Sequence, residues 1–106
     1  MTEAELLTAV RDIATRCKWR MYHTHDSRRS EAGFPDLVMV RGVRLIFVEL
    51  KSGYGRISDA QVEWLAALDE TDAEVYVWWP ADLVEAGRVL SPRYTERGGP
   101  LTIGGT

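Results

Sequence analysis

The sequence is poor in cysteine and has no long apolar run. Cys17 is the single cysteine, so no internal disulfide can form, and its place on an apolar helical stripe predicts a buried, unreactive thiol. No apolar stretch approaches the roughly 20 residues that a membrane helix needs. The first residues, Met-Thr-Glu-Ala-Glu, are too acidic for a secretory signal. We therefore expect an intracellular, cytoplasmic protein.

The chain also has too few basic residues to be cationic as a whole. Its formal net charge is −3, which taken alone argues against a polyanionic partner. The charges are unevenly distributed, however. Residues 1–56 hold 10 basic and 7 acidic side chains, a net +3, whereas residues 57–106 hold 3 basic and 9 acidic ones, a net −6. Because phosphate contacts depend on local charge, the first part of the chain can still accept nucleic acid.

The chain is long enough for one domain only. It has 106 residues, of which 45% are hydrophobic and 27% charged, as in ordinary soluble domains. We predict a domain over residues 1–90 and a tail over residues 91–106, because five of the last nine residues are Gly or Pro. There is no internal repeat. No Gly-rich phosphate loop precedes a helix, which disfavours a small phosphorylated ligand.

Apolar periodicity and turn residues predict the element order α-β-β-β-α-β, followed by a short helix. The predicted elements are a helix over 3–17 with Thr2 as N-cap, strands over 19–25, 37–40 and 45–51, a helix from Ser58 to about Glu70, a strand over 74–79 and a short helix over 82–86. The fourth strand is almost continuously apolar, which predicts a parallel strand buried on both faces.

The second and third strands form a hairpin that brings charged residues together. If Arg41-Gly42 is a two-residue turn, Asp36 lies opposite Phe47 and diagonal to Glu49. Alternation along the third strand then puts Glu49 and Lys51 on the same face as Asp36. A change of one residue in the loop would move Asp36 to the other face.

This group of charges predicts a metal site. Asp36 and Glu49 would repel each other unless a cation lay between them, and hard divalent ions bind such oxygens. Lys51 can reach a water molecule or a phosphate beside that ion. The alternative is a salt bridge at the rim of the sheet between Lys51 and one of the acids.

Further polar residues flank the hairpin. His23 and His25 point the same way along the first strand, and they suit phosphate contact or hydrogen bonds to the site. A zinc site is disfavoured because no third ligand follows them. Arg28 and Arg29 lie beside serines and suit phosphate contacts. The alternatives are a strand-end pair for the histidines and a solvated loop for the arginines.

The segment after the third strand contains two more candidate nucleic-acid-binding residues and the start of a helix. Tyr54 and Arg56 lie in a Gly-containing loop that could form a lip over a nucleic-acid strand. Ser58 followed by Gln61 three residues later predicts a capping box at the start of the second helix.

Two motifs together resemble a known nuclease family. Gly33-Phe34-Pro35-Asp36, a spacer of 12 residues and Glu49-Leu50-Lys51 resemble the PD-(D/E)XK nuclease signature. The Ser58-Asp59-Ala60-Gln61 segment and flanking residues 22–29 narrow this to the stand-alone, phage-type branch of the VRR-NUC (virus-type replication-repair nuclease) family. The resemblance covers roughly residues 2–90.

The resemblance implies a restriction-endonuclease-like core, in which a small mixed sheet is flanked by helices. It further implies hydrolysis of DNA phosphodiester bonds, in the cytoplasm of a bacterium or a phage-infected cell. Asp36, Glu49 and the Leu50 carbonyl would hold one or two Mg²⁺ or Mn²⁺ ions. Lys51 would orient or activate a water molecule, and Gln61 would steady that water or Lys51.

In the family that the chain resembles, an acidic residue of the first helix completes the metal site. Glu3 lies three residues before Leu6 and seven before Val10, hence on the apolar face of the helix. Glu5 lies on the flank, about 140° from Val10. Helical phase therefore favours Glu3 as the ligand, with Glu5 as the alternative.

Stand-alone members of the family are associated with junction resolution as dimers, so the resemblance implies a homodimer acting on branched DNA such as Holliday junctions. A large aromatic content agrees with association, unless these residues simply fill the core: Trp19, Trp64, Tyr76, Trp78 and Trp79.

Other functions remain open. They are a DNA-binding module without cleavage, an enzyme for a small phosphorylated substrate, and a nuclease without preference for branched DNA.

Overall fold

The computed structural model describes residues 1–24 and 29–92. It contains α1 (Glu3–Arg16), β1 (Arg20–His23), β2 (Leu37–Arg41), β3 (Arg44–Leu50), α2 (Asp59–Asp69), β4 (Glu74–Trp78), a 3-10 turn (Pro80–Asp82) and α3 (Leu83–Leu90). The predicted order α-β-β-β-α-β is confirmed. Within the described ranges, no helix is both long and apolar enough to cross a membrane. Residues 93–106, most of the predicted tail, lie outside them.

The four strands form one mixed sheet in the order β1-β2-β3-β4. β1 and β2 are antiparallel, as are β2 and β3, whereas β3 and β4 are parallel and are connected through α2. The parallel pairing of β4 was predicted correctly. Its predicted burial on both faces is wrong: Trp78 is the one fully buried residue of this strand, because β4 lies at the edge of the described sheet.

The hairpin turn differs from the predicted one. Arg41 pairs with Arg44, so the turn residues are Gly42 and Val43 rather than Arg41 and Gly42. Gly42 has φ +61°, and a glycine with positive φ in first place is typical of a type II′ turn. The new register moves the partner of each β2 residue by two positions. An even shift preserves the face, so Asp36 still shares the face of Glu49 and now lies directly opposite it.

The main core lies between the sheet and the pair of helices α1 and α3. The predicted apolar stripe of α1 is confirmed by the burial of Leu6, Val10 and Ala14, although Cys17 is only half-buried. These residues pack with the inward side chains of the strands: Leu37, Met39, Ile46, Val48 and Leu50.

The last helix is longer and later than predicted. A 3-10 turn occupies Pro80–Asp82, and α3 runs over Leu83–Leu90 instead of 82–86. Helical spacing of Ala86, Val89 and Leu90 explains the extension, because all three are buried against the core.

A buried charged group fixes the end of α3 to the sheet. The guanidinium of Arg44 donates bonds of 2.8 and 2.7 Å to Glu74 and one of 2.9 Å to the carbonyl of Val89. It also lies 4.9 Å from the ring centre of Trp19, whose indole N–H donates to the carbonyl of Leu90. Breaking a buried pair of this kind typically costs about 3–5 kcal/mol.

The opposite face of the sheet is only partly covered by α2. Phe34 makes edge-to-face contacts with Phe47 of β3 at 5.9 Å and with Trp64 of α2 at 5.0 Å between ring centroids. No residue of α2 is fully buried, and Val62 is 51% exposed. Among the described residues, Tyr22 of β1 and Val40 of β2 have exposed side chains on the half of this face that α2 does not cover. We refer to this half as open.

Candidate active site

Asp36 is held at the point where β2 begins. Thr24 fixes the chain there, because its N–H donates to the Asp36 carbonyl at 2.8 Å and its hydroxyl donates to the Pro35 carbonyl at 2.7 Å. The Asp36 carboxylate accepts a 2.8 Å bond from the N–H of Leu50. Asp36 thus connects the start of β2 to the end of β3. The sequence contains no local signal for the role of Thr24, whose partners are about 11 positions away.

Gly33 brings the chain close to α2 before it reaches Asp36. Its φ is +89°, and a Cβ added there would lie 2.5 Å from both the carbonyl carbon and the oxygen of Ala60. Only glycine fits such an approach without displacement of backbone. The loop that leads to Asp36 is therefore packed directly on the first turn of α2.

Glu49 is a buried acid next to another acid. Its side chain lies beside Asp36, accepts a 2.8 Å bond from Gln61 Nε2, and is 3.6 Å from Lys51 Nζ. Burial raises the pKa of Glu49 to about 7; the charge of Asp36 contributes further in the same direction, and Lys51 opposes both. The site therefore holds more negative charge than its own lysine can neutralise.

Gln61 connects Lys51 to the start of α2. The Lys51 ammonium donates to Gln61 Oε1 at 2.9 Å and to the carbonyl of Arg56 at 3.0 Å. Gln61 Oε1 also accepts from the N–H of Ser58, while the Ser58 hydroxyl accepts from the N–H of Gln61. The predicted capping box is confirmed. The same side chain contacts both Glu49 and Lys51.

A cavity of about 220 Å³ lies beside Asp36, below the N-terminus of α1. It is lined by Glu3, Ala4, Leu7, His23, Asp36 and Leu50. Glu3 is exposed rather than directed into the core as predicted, because it begins the helix and lies at this cavity. Its charge nevertheless acts on Glu49, whose pKa it helps to raise.

Glu5 is engaged elsewhere. Its carboxylate accepts a 2.7 Å bond from the N–H of Thr2 in the capping box of α1, and this bond lowers its pKa. Of the two candidate acids, Glu3 is therefore the one that the fold places beside Asp36.

Comparison with known proteins agrees with this geometry. The family model of the VRR-NUC domain matches residues 2–79, which include all of the residues gathered at the site. The chain belongs to the VRR-NUC family. It is a nuclease of the PD-(D/E)XK superfamily with a restriction-endonuclease-like fold, as the sequence predicted. The match ends before α3, earlier than the predicted limit near residue 90.

Solved structures that resemble this VRR-NUC chain include the following two. A VRR-NUC domain protein is 25% identical over 79% of this chain and 82% of its own, with a TM-score of 0.62. A Holliday junction resolvase, Hjc of Archaeoglobus fulgidus, is 21% identical over 74% of this chain and 65% of its own. Its TM-score is 0.47. No curated protein matches the chain.

The donor atoms of the VRR-NUC site suit a hard divalent ion. Two adjacent carboxylates, Asp36 and Glu49, offer oxygen ligands beside the strand that carries the Leu50 carbonyl. Over residues 1–24 and 29–92, no three His, Cys, Asp or Glu side chains are gathered closely enough to hold a metal ion together. Mg²⁺ commonly binds through one or two carboxylates and keeps several waters. The two adjacent acids therefore fit a hard divalent ion of this kind.

Two of the predicted DNA-binding residues that the structure describes, His23 and Arg56, lie next to this centre. His23 lines the cavity beside Asp36, and His25 and Arg28 lie outside the described residues. Arg29, Tyr54 and Arg56 have exposed side chains. Lys51 is held by the carbonyl of Arg56, a contact that the residue type could not indicate. Contacts of these side chains with DNA remain predictions.

Proposed function

We propose that this VRR-NUC protein is a metal-dependent endonuclease that hydrolyses phosphodiester bonds in DNA. The observation that carries the proposal is the burial of Glu49 against Asp36, with Lys51 and Gln61 bonded around it. Side chains that merely stabilised a fold would not bury the Glu49 carboxylate next to the half-buried Asp36 carboxylate, since this arrangement costs free energy. A cation bound by both acids would remove that cost.

Asp36, Glu49 and the Leu50 carbonyl would hold Mg²⁺ or Mn²⁺, with Glu3 contributing through water. The ion would supply charge neutralisation at the phosphate and a water molecule of lowered pKa. Lys51 orients that water and stabilises the negative charge that develops on the phosphate. Gln61 keeps the ammonium of Lys51 in place, 2.9 Å from its amide oxygen.

Flanking side chains bind the DNA strand in this proposal. Arg29 and Arg56 contact backbone phosphates, Tyr54 packs on the strand from the loop after β3, and His23 contacts phosphate from the cavity beside Asp36. Arg28 and His25 belong to the same set on sequence grounds. The net +3 of residues 1–56, which include all six, supports this assignment.

A plasmid-nicking assay tests the activity. Nicking is expected with Mg²⁺ or Mn²⁺, none in EDTA, and little with Asp36→Ala, Glu49→Ala or Lys51→Ala. Thermal unfolding in EDTA separates lost chemistry from lost structure. Asp36→Ala removes the repulsion with Glu49 but also the bond from the Leu50 N–H, so the two effects on stability oppose each other. Full activity in EDTA, or in Asp36→Ala with Mg²⁺, contradicts the proposal. DNA binding without cleavage under any metal would indicate a DNA-binding module.

We further propose that the working unit is a homodimer that prefers branched DNA. One site cuts one strand, so paired cuts across a junction need two sites related by a two-fold axis. The aromatic content gives less support than the sequence suggested, because Trp19 and Trp78 are buried within one chain. Support comes instead from β4, an apolar strand at the edge of the sheet that the described residues form, since such edges are ordinarily covered.

A groove beside that edge is the surface on which we place the second copy. It has a volume of about 350 Å³ and lies between α2 and β4. The lining residues are Ile57, Val62, Leu65, Ala66, Asp69 and Val75. Val62→Glu should separate a dimer, whereas Val84→Glu, on the exposed side of α3, should not. Sedimentation measures whether the protein is a dimer. Cleavage of a four-way junction and of a matched duplex measures its preference for branched DNA. A monomer that cuts the duplex equally well would be a general nuclease.

A further inference from the structure

The open half of the sheet carries an exposed aromatic ring and an exposed cation. Strand alternation and pairing place Arg20 and Tyr22 of β1 on this face, opposite Val40 and Val38 of β2. Tyr22 is 56% exposed, and Val40 and Leu45 on the same face are 41% and 38% exposed. The edge-to-face contacts of Phe34 are with Phe47 of β3 and Trp64 of α2, and within the described part of the chain this cluster does not extend over Tyr22. This open sheet face, centred on Tyr22, has no role in the site described above.

The register of β1 with β2 fixes the position of the open sheet face relative to the catalytic centre. Tyr22 pairs with Val38, and Asp36 lies two residues before Val38 on the same face. Tyr22 and Asp36 are therefore diagonal neighbours, with Cα atoms about 7–8 Å apart. Thr24, which continues β1 toward the site, bonds the Asp36 carbonyl and keeps the two strands in this register.

We propose that Tyr22 stacks on an unpaired base next to the scissile phosphate, and that Arg20 contacts the phosphate on its far side. This inference rests on the proposed nuclease function and deepens it. An aromatic ring accepts the face of any base, and a neighbouring cation accepts the backbone that connects successive bases. Bases in a duplex present only their edges, so Tyr22 selects DNA that has an unpaired nucleotide at the cleavage position.

The size and charge of the open sheet face favour a nucleotide over a second protein chain. A stable protein interface needs about 800 Å² from each partner, whereas this face offers one aromatic ring and two half-exposed aliphatic side chains. One base covers a surface of that extent. Arg20 would be left unpaired at the margin of an apolar protein interface, but it has a natural partner in a phosphate.

Binding without cleavage provides the test. In the Lys51→Ala background, a fluorescent 20-nucleotide single strand and the matched duplex are titrated and followed by anisotropy. Tyr22→Ala should weaken single-strand binding about 5- to 100-fold and duplex binding far less, because stacking on each base contributes roughly that factor. Tyr22→Phe and Tyr22→Trp should keep the affinity. Val43→Ala, a fully exposed apolar residue at the hairpin tip, is the matched control.

A second measurement locates the base. Ultraviolet cross-linking of a strand that contains 5-bromouracil should attach it at Tyr22. Unchanged single-strand affinity in Tyr22→Ala, or an equal loss on the duplex, would overturn the inference. A dimer that dissociates in Tyr22→Ala would overturn it too, in favour of a subunit interface. Because these assays need no cleavage, their failure is distinct from an inactive wild-type protein, which would refute the nuclease proposal alone.

Discussion

Gln61 donates a 2.8 Å hydrogen bond from Nε2 to Oε2 of Glu49. The other end of the same amide accepts from the N–H of Ser58 and from the Lys51 ammonium. This orientation follows from the partners, since Glu49 can only accept when ionised and Lys51 can only donate. One side chain thus caps α2 and positions two residues of the candidate site.

The two tasks of Gln61 should be separable by mutation. Gln61→Ala removes the contacts with Glu49 and Lys51 and one bond of the capping box, so we expect a loss of about 1 kcal/mol in stability and of about 100-fold in cleavage. Ser58→Ala removes the other bond of the box and should cost a similar stability with activity retained. Urea unfolding and nicking assays measure the two effects. Equal activity losses in both variants would mean that Gln61 acts only as a cap.

Stability in EDTA should fall between about pH 4.5 and 7. Glu49 has a folded-state pKa of about 7 against an ordinary value of 4.5, so the folded protein binds a proton that the unfolded chain releases. The stabilising contribution of the Glu49 proton to the free energy of unfolding is complete below about pH 4.5 and is lost as the pH rises through 7. Glu49→Gln should flatten this dependence and raise stability at pH 8 by up to about 3 kcal/mol. Identical pH profiles for both proteins in urea titrations would refute the assignment.

Gly33→Ala should damage both fold and activity. The new Cβ would meet the backbone of Ala60 at a residue with positive φ, so we expect a loss of about 2–5 kcal/mol and displacement of Asp36. Gly42→Ala is the matched control, since Gly42 also has positive φ but nothing lies within 4 Å of its added Cβ. It should cost about 1 kcal/mol and leave cleavage intact. Calorimetric melting temperatures and nicking rates distinguish the Gly33→Ala variant from the Gly42→Ala variant.

The two acids of α1 should differ in their effect on metal binding. Glu3→Gln should weaken Mn²⁺ binding in a calorimetric titration, because Glu3 lies at the cavity beside Asp36. Glu5→Gln should leave Mn²⁺ binding unchanged and slightly weaken the start of the helix. A loss of Mn²⁺ affinity confined to Glu5→Gln would place the ligand on the other flank of α1.

Local signals in the sequence predicted the elements and the face of the site. The helix starts at Thr2 and Ser58 follow from side chains that bond backbone three residues away. The hairpin turn was misplaced because Gly42 can occupy either position of a two-residue turn in the sequence, whereas the type II′ geometry puts it first. The sheet face predicted for Asp36 was still correct, because the observed strand register differs from the predicted one by an even number of residues.

Contacts between distant residues could not be predicted in the same way. Arg44 and Glu74 are 30 positions apart, and neither residue indicates that it is buried or paired. The partial exposure of α2 also escaped prediction, because its apolar residues are spaced like those of a helix that packs fully. Which strand lies at the edge of a sheet depends on the whole topology, and this decided the burial of β4.

The parallel pairing of β3 with β4 has a consequence for how the protein folds. Lys51 donates its backbone N–H to the carbonyl of Trp78, so the end of β3 is held by a residue that is synthesised well after it. Parallel strands can pair only after the crossover between them has closed, and such non-local contacts form slowly. During synthesis, Asp36, Glu49 and Lys51 emerge from the ribosome before Trp78, the residue that holds the end of β3. The candidate site should therefore be completed only after β4 has been synthesised, at about the stage at which α3 closes the main core.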